Sequence, residues 1–355
     1  MNRGIGVLAA ALIGAAAASA AAAAPCVTSA PACLRSVELK PGERGLAYAT
    51  LPLDQPAPQV RRVLIMVHGA LRNADRYFGT ANAAAFLAGA DGETLVVAPA
   101  FHAADGACHD TLAPGEISWS CGRDSWRSGG AAASDAALTS FGFMDVLLQR
   151  LANRALFPNL RVVVVAGHSA GGQFVTRYEM ASRIIESLPF HVAFAVANPS
   201  SYAWPSPERL VPEGSGTPAA ASLGWKDETP HTGFSFAVPP APPKGYDAWP
   251  MGLEGRTGGY VQGLTDETLR RNLTRRDTTY LLSQIDVLPL GGFDDSPDAM
   301  AQGATRRQRG EAFADFLRTR LGATPKVVIV PECGHNDRCV YTTPEVLGVV
   351  FPKVE

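Results

Sequence analysis

The chain has 355 residues, 46% of them hydrophobic and 18% charged, with a formal net charge of −2. That length allows a large core and excludes a miniprotein held by disulfides alone; at about 150 residues per domain it allows two domains, although α/β folds often exceed that as one unit. The near balance of 31 basic and 33 acidic residues excludes the basic face that nucleic-acid binding requires, and equally an acidic disordered chain.

Residues 1–24 read as a secretory signal peptide, with Arg3 as its positive start, a short apolar stretch at 5–13, and small residues at Ala18-Ser19-Ala20 and Ala21-Ala22-Ala23. Pro25 disfavours cleavage directly after Ala24, so the cut falls after Ala20 or Ala23; Pro25 before Cys26 also argues against a lipoprotein. The Leu/Ile-rich part is shorter than the ~20 apolar residues of a membrane span, and no later stretch is long and apolar enough to span. Losing Arg3 leaves 30 basic against 33 acidic residues, a mature charge of −3. The expected location is secreted or periplasmic, with residues 25–355 forming the folded domain.

Residues 39–53 read as a hairpin with its turn at Gly42 and Gly45. The short apolar runs at 62–69, 94–99, 161–166 and 191–197 are strands buried on both faces. Helical patterns at 80–89, 134–153 and 171–186 separate them. Such alternation predicts an α/β fold: a mostly parallel central sheet with helices on both faces. The pattern breaks over residues 199–279, rich in Pro, Gly and Trp. This segment is too long for an ordinary loop and is expected to be a cap-like insertion over one end of the sheet, with a helix near 266–275. Alternation resumes with a strand at 280–285, a helix at 306–321, a strand at 326–330 and a short helix at 344–350.

An exported chain meets an oxidising compartment, where paired thiols persist. Of the many possible connectivities, three local pairs suggest themselves: Cys26–Cys33, Cys108–Cys121 and Cys333–Cys339. A metal site at Cys333, His335, Asp337 and Cys339 is the rival reading, against which the spacing speaks. No phosphate loop or dinucleotide fingerprint is present, so no soluble cofactor is implied.

The sharpest signal is Gly167-His168-Ser169-Ala170-Gly171, a G-x-S-x-G directly after a buried strand and directly before a helix. So tight a turn needs small flanking residues, and the helix behind Ser169 favours developing negative charge. With the strand end LIMVHGALRNAD at 64–75 and the tail segments YLLSQID at 280–286, AMAQGATRRQRG at 299–310 and VVIVPECGHND at 327–337, the chain resembles the α/β-hydrolase superfamily, specifically its secreted serine-esterase-like members. The resemblance runs from about residue 39 onward.

It implies a Ser–acid–His triad in that chain order. Ser169 is the nucleophile, and His335, in a Gly-His loop after the last strand, is the base. His168 is expected to point away from the nucleophile, His68 to belong to the oxyanion loop and His191 to be structural. His102, His109 and His231 lie in loops that could line the cleft. The family acid follows a Gly-x-x-Asp pattern; Asp286 matches with Ser283 in place of Gly, and Asp294 and Asp295 are the alternatives. Oxyanion donors are expected at the backbone of Ala170 and Ala70, Leu71 being second to Ala70, with Arg72, Asn73 and Asp75 fixing that loop. Trp119, Trp126, Tyr202, Trp204, Trp225, Tyr246, Trp249 and Tyr260 either line a groove or pack the insertion.

The resulting expectation is an exported serine hydrolase cleaving small or polymeric carboxylic esters. A peptidase or amidase with the same triad, and a binding protein on an inactive hydrolase scaffold, are the alternatives. The fold alone does not name the substrate.

Overall fold

The computed structural model describes residues 1, 25–122, 125–213 and 234–354. All but the first residue of the expected signal peptide, and His231 and Trp225, lie outside them.

The chain enters through β1 (Leu34–Lys40) and β2 (Glu43–Ala49), an antiparallel pair turning at Pro41-Gly42, where Gly42 has φ 83°. The expected hairpin begins too late in the sequence, and Gly45 is not in its turn. Gly45 sits inside β2 against Phe143, where a Cβ would stand 2.8 Å from the ring.

Then come β3 (Arg62–Val67), α1 (Ala74–Leu87), β4 (Thr94–Ala100), α2 (Ser140–Leu151), β5 (Val162–His168), α3 (Ala170–Ala181) and β6 (His191–Ala197). A two-stranded antiparallel ribbon follows, β7 (Arg209–Pro212) with β8 (Phe234–Ala237), which the sequence pattern does not predict. The remaining elements are α4 (Asp266–Arg275), β9 (Asp277–Ser283), α5 (Pro297–Met300), α6 (Arg306–Leu321), β10 (Lys326–Val330), α7 (Asp337–Thr342) and α8 (Pro344–Val350).

Eight strands make one sheet in the order β1-β2-β4-β3-β5-β6-β9-β10. From β4 to β10 every neighbouring pair is parallel, and only β1 and β2 run against their neighbours. Residues alternate between faces along each strand, so each apolar run supplies two cores. Val63, Ile65, Val163, Val165, Val196 and Leu282 meet Phe174 of α3, Leu148 of α2 and Phe313 of α6. Leu64, Met66, Val164, Ala166, Ala197 and Leu281 meet Phe78 and Ala81 of α1, Tyr341 of α7 and Val346 of α8.

Helix starts follow their caps. The hydroxyls of Thr139, Thr265 and Thr305 accept from the backbone N–H three residues on, fixing the first turns of α2, α4 and α6. This is why α2 begins at Ser140 and not at 134. Between β6 and β9 the chain adds the ribbon and α4. Aromatic side chains there pack inward: Tyr202 stacks on Phe313 at 4.4 Å, and fully buried Trp204 meets Phe313 and Phe316. No helix among the described residues is long and apolar enough to cross a membrane.

Candidate active site

The parallel strands bring their carboxyl ends to one side, and four non-glycine residues in left-handed backbone follow them: Arg72 after β3, Ser169 after β5, Asn198 after β6 and Glu332 after β10. Such conformations cost of order 1–3 kcal/mol each and gather where surrounding structure enforces them. Ser169 has φ 60° and ψ −119°. Its neighbours are glycine for want of room. A Cβ on Gly167 would stand 2.4 Å from Gly171 O, one on Gly171 would stand 2.2 Å from Val67 O, and one on Gly172 would stand 2.6 Å from Ala197 O. The Ser169 N–H donates to Ala197 O at 2.9 Å, tying the elbow to β6.

Ser169 Oγ lies 2.9 Å from His335 Nε2, and His335 Nδ1 lies 2.7 Å from Asp286 Oδ2. A carboxylate can only accept, so the imidazole proton sits on Nδ1 and Nε2 is left to accept from the serine hydroxyl. Asp286 is 2% exposed and Ser169 8%, so water screens this chain of hydrogen bonds weakly. Ser283, the departure from the expected Gly-x-x-Asp pattern, accepts from Asn198 Nδ2 at 2.7 Å and donates its N–H to Asn198 Oδ1 at 2.9 Å. That pair of bonds locks the end of β9 to the end of β6. Asp294 accepts from the N–H and hydroxyl of Ser296, and Asp295 is exposed.

The loop carrying His335 is held at both ends. Cys333 and Cys339 are at disulfide distance, with Cα atoms 5.7 Å apart. The Asn336 side chain caps α7 by accepting from Cys339 N, and Asp337 accepts from Arg76 at 2.7 Å and from Thr80 at 2.8 Å, both on α1. The other two expected cysteine pairs are likewise at bonding distance.

The loop after β3 faces the serine. Gly69, Ala70 and Leu71 line a cleft of about 290 Å³ together with His168, Ser169, Gly291, Gly292 and His335. The Gly69 carbonyl accepts from Arg72 N at 3.1 Å and from His68 Nδ1 at 2.9 Å, while His68 Nε2 accepts from Phe101 N. Burial pushes the His68 pKa down to about 3, which keeps the ring in this neutral bridging form. The Gly69 carbonyl and the Ala70 N–H share one planar trans peptide, so fixing the first turns the second the opposite way. Arg72 anchors the loop through Ser120 O at 2.6 Å. Asn73 and Asp75 do not share that work: Asn73 heads α1 without a side-chain cap bond, and Asp75 is exposed.

His168 does not point away from the nucleophile. Its ring lies 4.5 Å from that of His335, and its Nδ1 is 3.1 Å from the Tyr77 hydroxyl. The left-handed turn at Ser169 breaks strand alternation, so neighbouring side chains both reach the cleft. Burial holds His168 well below its ordinary pKa, with His335, Arg306 and Arg76 adding to the effect. Among the remaining histidines, His191 pairs with Asp277 at 3.0 Å. His109, with Arg72, Trp126 and Arg127, lines a second cleft that shares Ala70 and Leu71 with the first.

Behind the elbow, Glu179 of α3 is fully buried. Burial raises its carboxyl from 4.5 to about 8, against smaller opposing effects of Thr278 and Arg276. Between those values the folded protein keeps a proton that the unfolded chain has lost, so stability falls as pH rises through that window. Wild type should melt several degrees higher near pH 5 than near pH 8.5, and Glu179→Gln should remove much of that difference. An unchanged slope would place the sensitivity on other groups.

No family model matches the sequence, and no curated protein does. Solved structures do match. Over 86% of this chain and 83% of the other, it superposes on LpqC, a poly(3-hydroxybutyrate) depolymerase from Bordetella parapertussis, with TM-score 0.57 and 21% identity. Poly(aspartic acid) hydrolase-1 from Sphingomonas sp. KT-1 matches over 89% of this chain and 97% of its own, with TM-score 0.59 and 18% identity.

The chain has the α/β-hydrolase fold.

Within the α/β-hydrolase fold the serine elbow follows the central strand β5, the carboxylate follows β9 and the histidine follows β10, all at one end of the sheet.

Proposed function

We propose that the protein is an exported serine hydrolase that cleaves carboxylic esters, with residues 25–355 as its catalytic domain behind a signal peptide at 1–24. The observation that carries this reading is the hydrogen-bonded series Ser169–His335–Asp286 at the mouth of a cleft. Ser169 Oγ attacks the ester carbonyl as His335 Nε2 takes its proton, and Asp286 steadies the imidazolium that forms. Charge on the carbonyl oxygen is met by the N–H of Ala170, at the start of α3, and that of Ala70. His335 returns the proton to the leaving alkoxide. Water, activated by the same histidine, then releases the acid from the acyl-enzyme. Three cysteine pairs at disulfide distance support an oxidising location outside the cytoplasm.

The likeness to a poly(3-hydroxybutyrate) depolymerase favours an ester, small or polymeric; that to a poly(aspartic acid) hydrolase favours an amide as the second reading. A fluorophosphonate should label Ser169, identified by mass spectrometry of the tryptic peptide. p-Nitrophenyl esters of rising chain length should turn over faster than the matching anilide. An unlabelled serine would indicate a binding protein on this scaffold, and a faster anilide would indicate an amidase.

The Cys333–Cys339 link should matter more for the base than for the fold. Closing so short a loop stabilises by only about 2–2.5 kcal/mol in the chain-entropy model. A misplacement near 1 Å in a catalytic group costs about 10² in rate. Cys333→Ser/Cys339→Ser should therefore lower kcat about tenfold or more with a melting temperature only a few degrees lower. Free thiols at both positions in the unreduced protein, seen by mass spectrometry, would end this account.

A further inference from the structure

The first turns of α6 hold Arg306, Arg307 and Arg309, each 1% exposed or less. Cations oppose the positive end of a helix, and a buried guanidinium is costly unless fully engaged. Their presence needs a reason in what they touch. Arg306 Nε donates to Ser200 Oγ at 2.8 Å, Nη1 to Asp286 Oδ1 at 3.2 Å and Nη2 to Gly291 O at 3.0 Å. Arg307 Nη1 donates to Gln284 O at 2.9 Å, two residues before Asp286. Arg309 donates to Ser200 O and lies over the Phe293 ring at 4.4 Å, with Arg306 over the same ring at 5.2 Å. Together they grip both ends of the loop that carries Asp286 and covers the imidazole. At Gly291 of that loop, a Cβ would stand 2.9 Å from His335 Cδ2.

Asp286 thus shares its charge between a permanent cation, Arg306 through Oδ1, and His335 through Oδ2, which becomes a cation only on taking the serine proton. We propose that Arg306 is a positioning residue for the reaction proposed above: it aims Asp286 Oδ2 at His335, holds the 287–293 loop against the imidazole, and as a fixed cation limits how strongly Asp286 favours protonated His335.

The other groups near His335 do not duplicate this. His168, from β5, is buried and kept neutral. Arg76 and Asp337 both line the cleft but pair with each other. Asp294 acts on Arg306 itself, where it and Asp286 oppose the lowering of the guanidinium pKa by burial. Arg306 bonds the Asp286 carboxylate directly.

The role rests on the ester-hydrolase reading only for its rate effect, so the test reads the histidine as well. Wild type, Arg306→Gln and Arg306→Lys are compared by NMR titration of 15N-labelled His335 and by the pH dependence of kcat/KM on p-nitrophenyl acetate. In Arg306→Gln, the titration midpoint and the acidic limb should both move up by about one pH unit. There kcat should fall about tenfold or more with KM little changed. Arg306→Lys should keep the midpoint near wild type yet lose rate, since an ammonium cannot span three anchors. An unmoved midpoint in folded Arg306→Gln overturns the proposal, because a packing role would change stability and rate alone. If that variant does not fold, Arg306→Lys decides, and an unchanged kcat there overturns it. A wild type inert to esters whose His335 midpoint still moves in Arg306→Gln sinks the ester reading and keeps this one. Good ester turnover with a fixed midpoint does the reverse.

Discussion

Ser169→Ala is expected to lower ester turnover by a factor on the order of 10⁴–10⁶ while the protein stays folded. The hydroxyl contributes one hydrogen bond, to His335 Nε2, and the strained elbow is set by backbone bonds and by glycine clearances that alanine at 169 does not disturb. Alanine tolerates φ 60° no worse than serine, so circular dichroism and melting should resemble wild type. Residual activity within tenfold of wild type would assign the attack to another group.

Asp286→Asn is the second large effect, expected at about 10⁴ in kcat. An amide can turn its NH₂ toward His335 Nδ1, which drives the imidazole proton onto Nε2 and removes the acceptor Ser169 needs. The same change takes from buried Arg306 its carboxylate partner, so a loss of stability should accompany the loss of rate. Asp294→Asn and Asp295→Asn should stay within about tenfold of wild type, since Asp294 bonds Ser296 and Asp295 faces solvent. Steady-state kinetics of the three variants, side by side with thermal melts, checks the ranking; a reversed order would move the acid to the later pair.

The architecture was legible where local chemistry agrees with the tertiary context. Runs such as 162–168 and 191–197 are strands because every second residue feeds a different core. The bounds of α4, α6 and α8 fall where Thr265, Thr305 and Pro344 start them and Gly322, at φ 65°, stops one. The β7–β8 ribbon is only four residues a side and almost wholly half-buried, too short to show a period. At the site, strand ends nominate Ser169, Asp286 and His335, but sequence cannot carry the distances among them. His168 continues the even-numbered side of β5, with Val164 and Ala166, onto Tyr77 of α1; the turn at Ser169 then brings the serine to the cleft beside it, which no side-chain pattern encodes. The segment TRRQRG carries part of the resemblance, but the sequence assigns its arginines no role. Basic residues at a helix start look solvent-facing until their burial is known, and their partners at 200, 284, 286 and 291 are far away in sequence or across a loop.

Each cysteine's partner is its nearest neighbour along the chain among the six, at separations of 7, 13 and 6 residues. Random encounter in an unfolded chain favours short loops, so the right pairings are also the fastest to form, before any sheet has assembled. Oxidative refolding from the fully reduced, denatured chain should recover these three pairs in good yield without added isomerase, as peptide mapping would show. Abundant scrambled species would mean that the fold must guide the thiols instead. For recombinant production, an oxidising compartment alone should then suffice, with no dedicated shuffling catalyst.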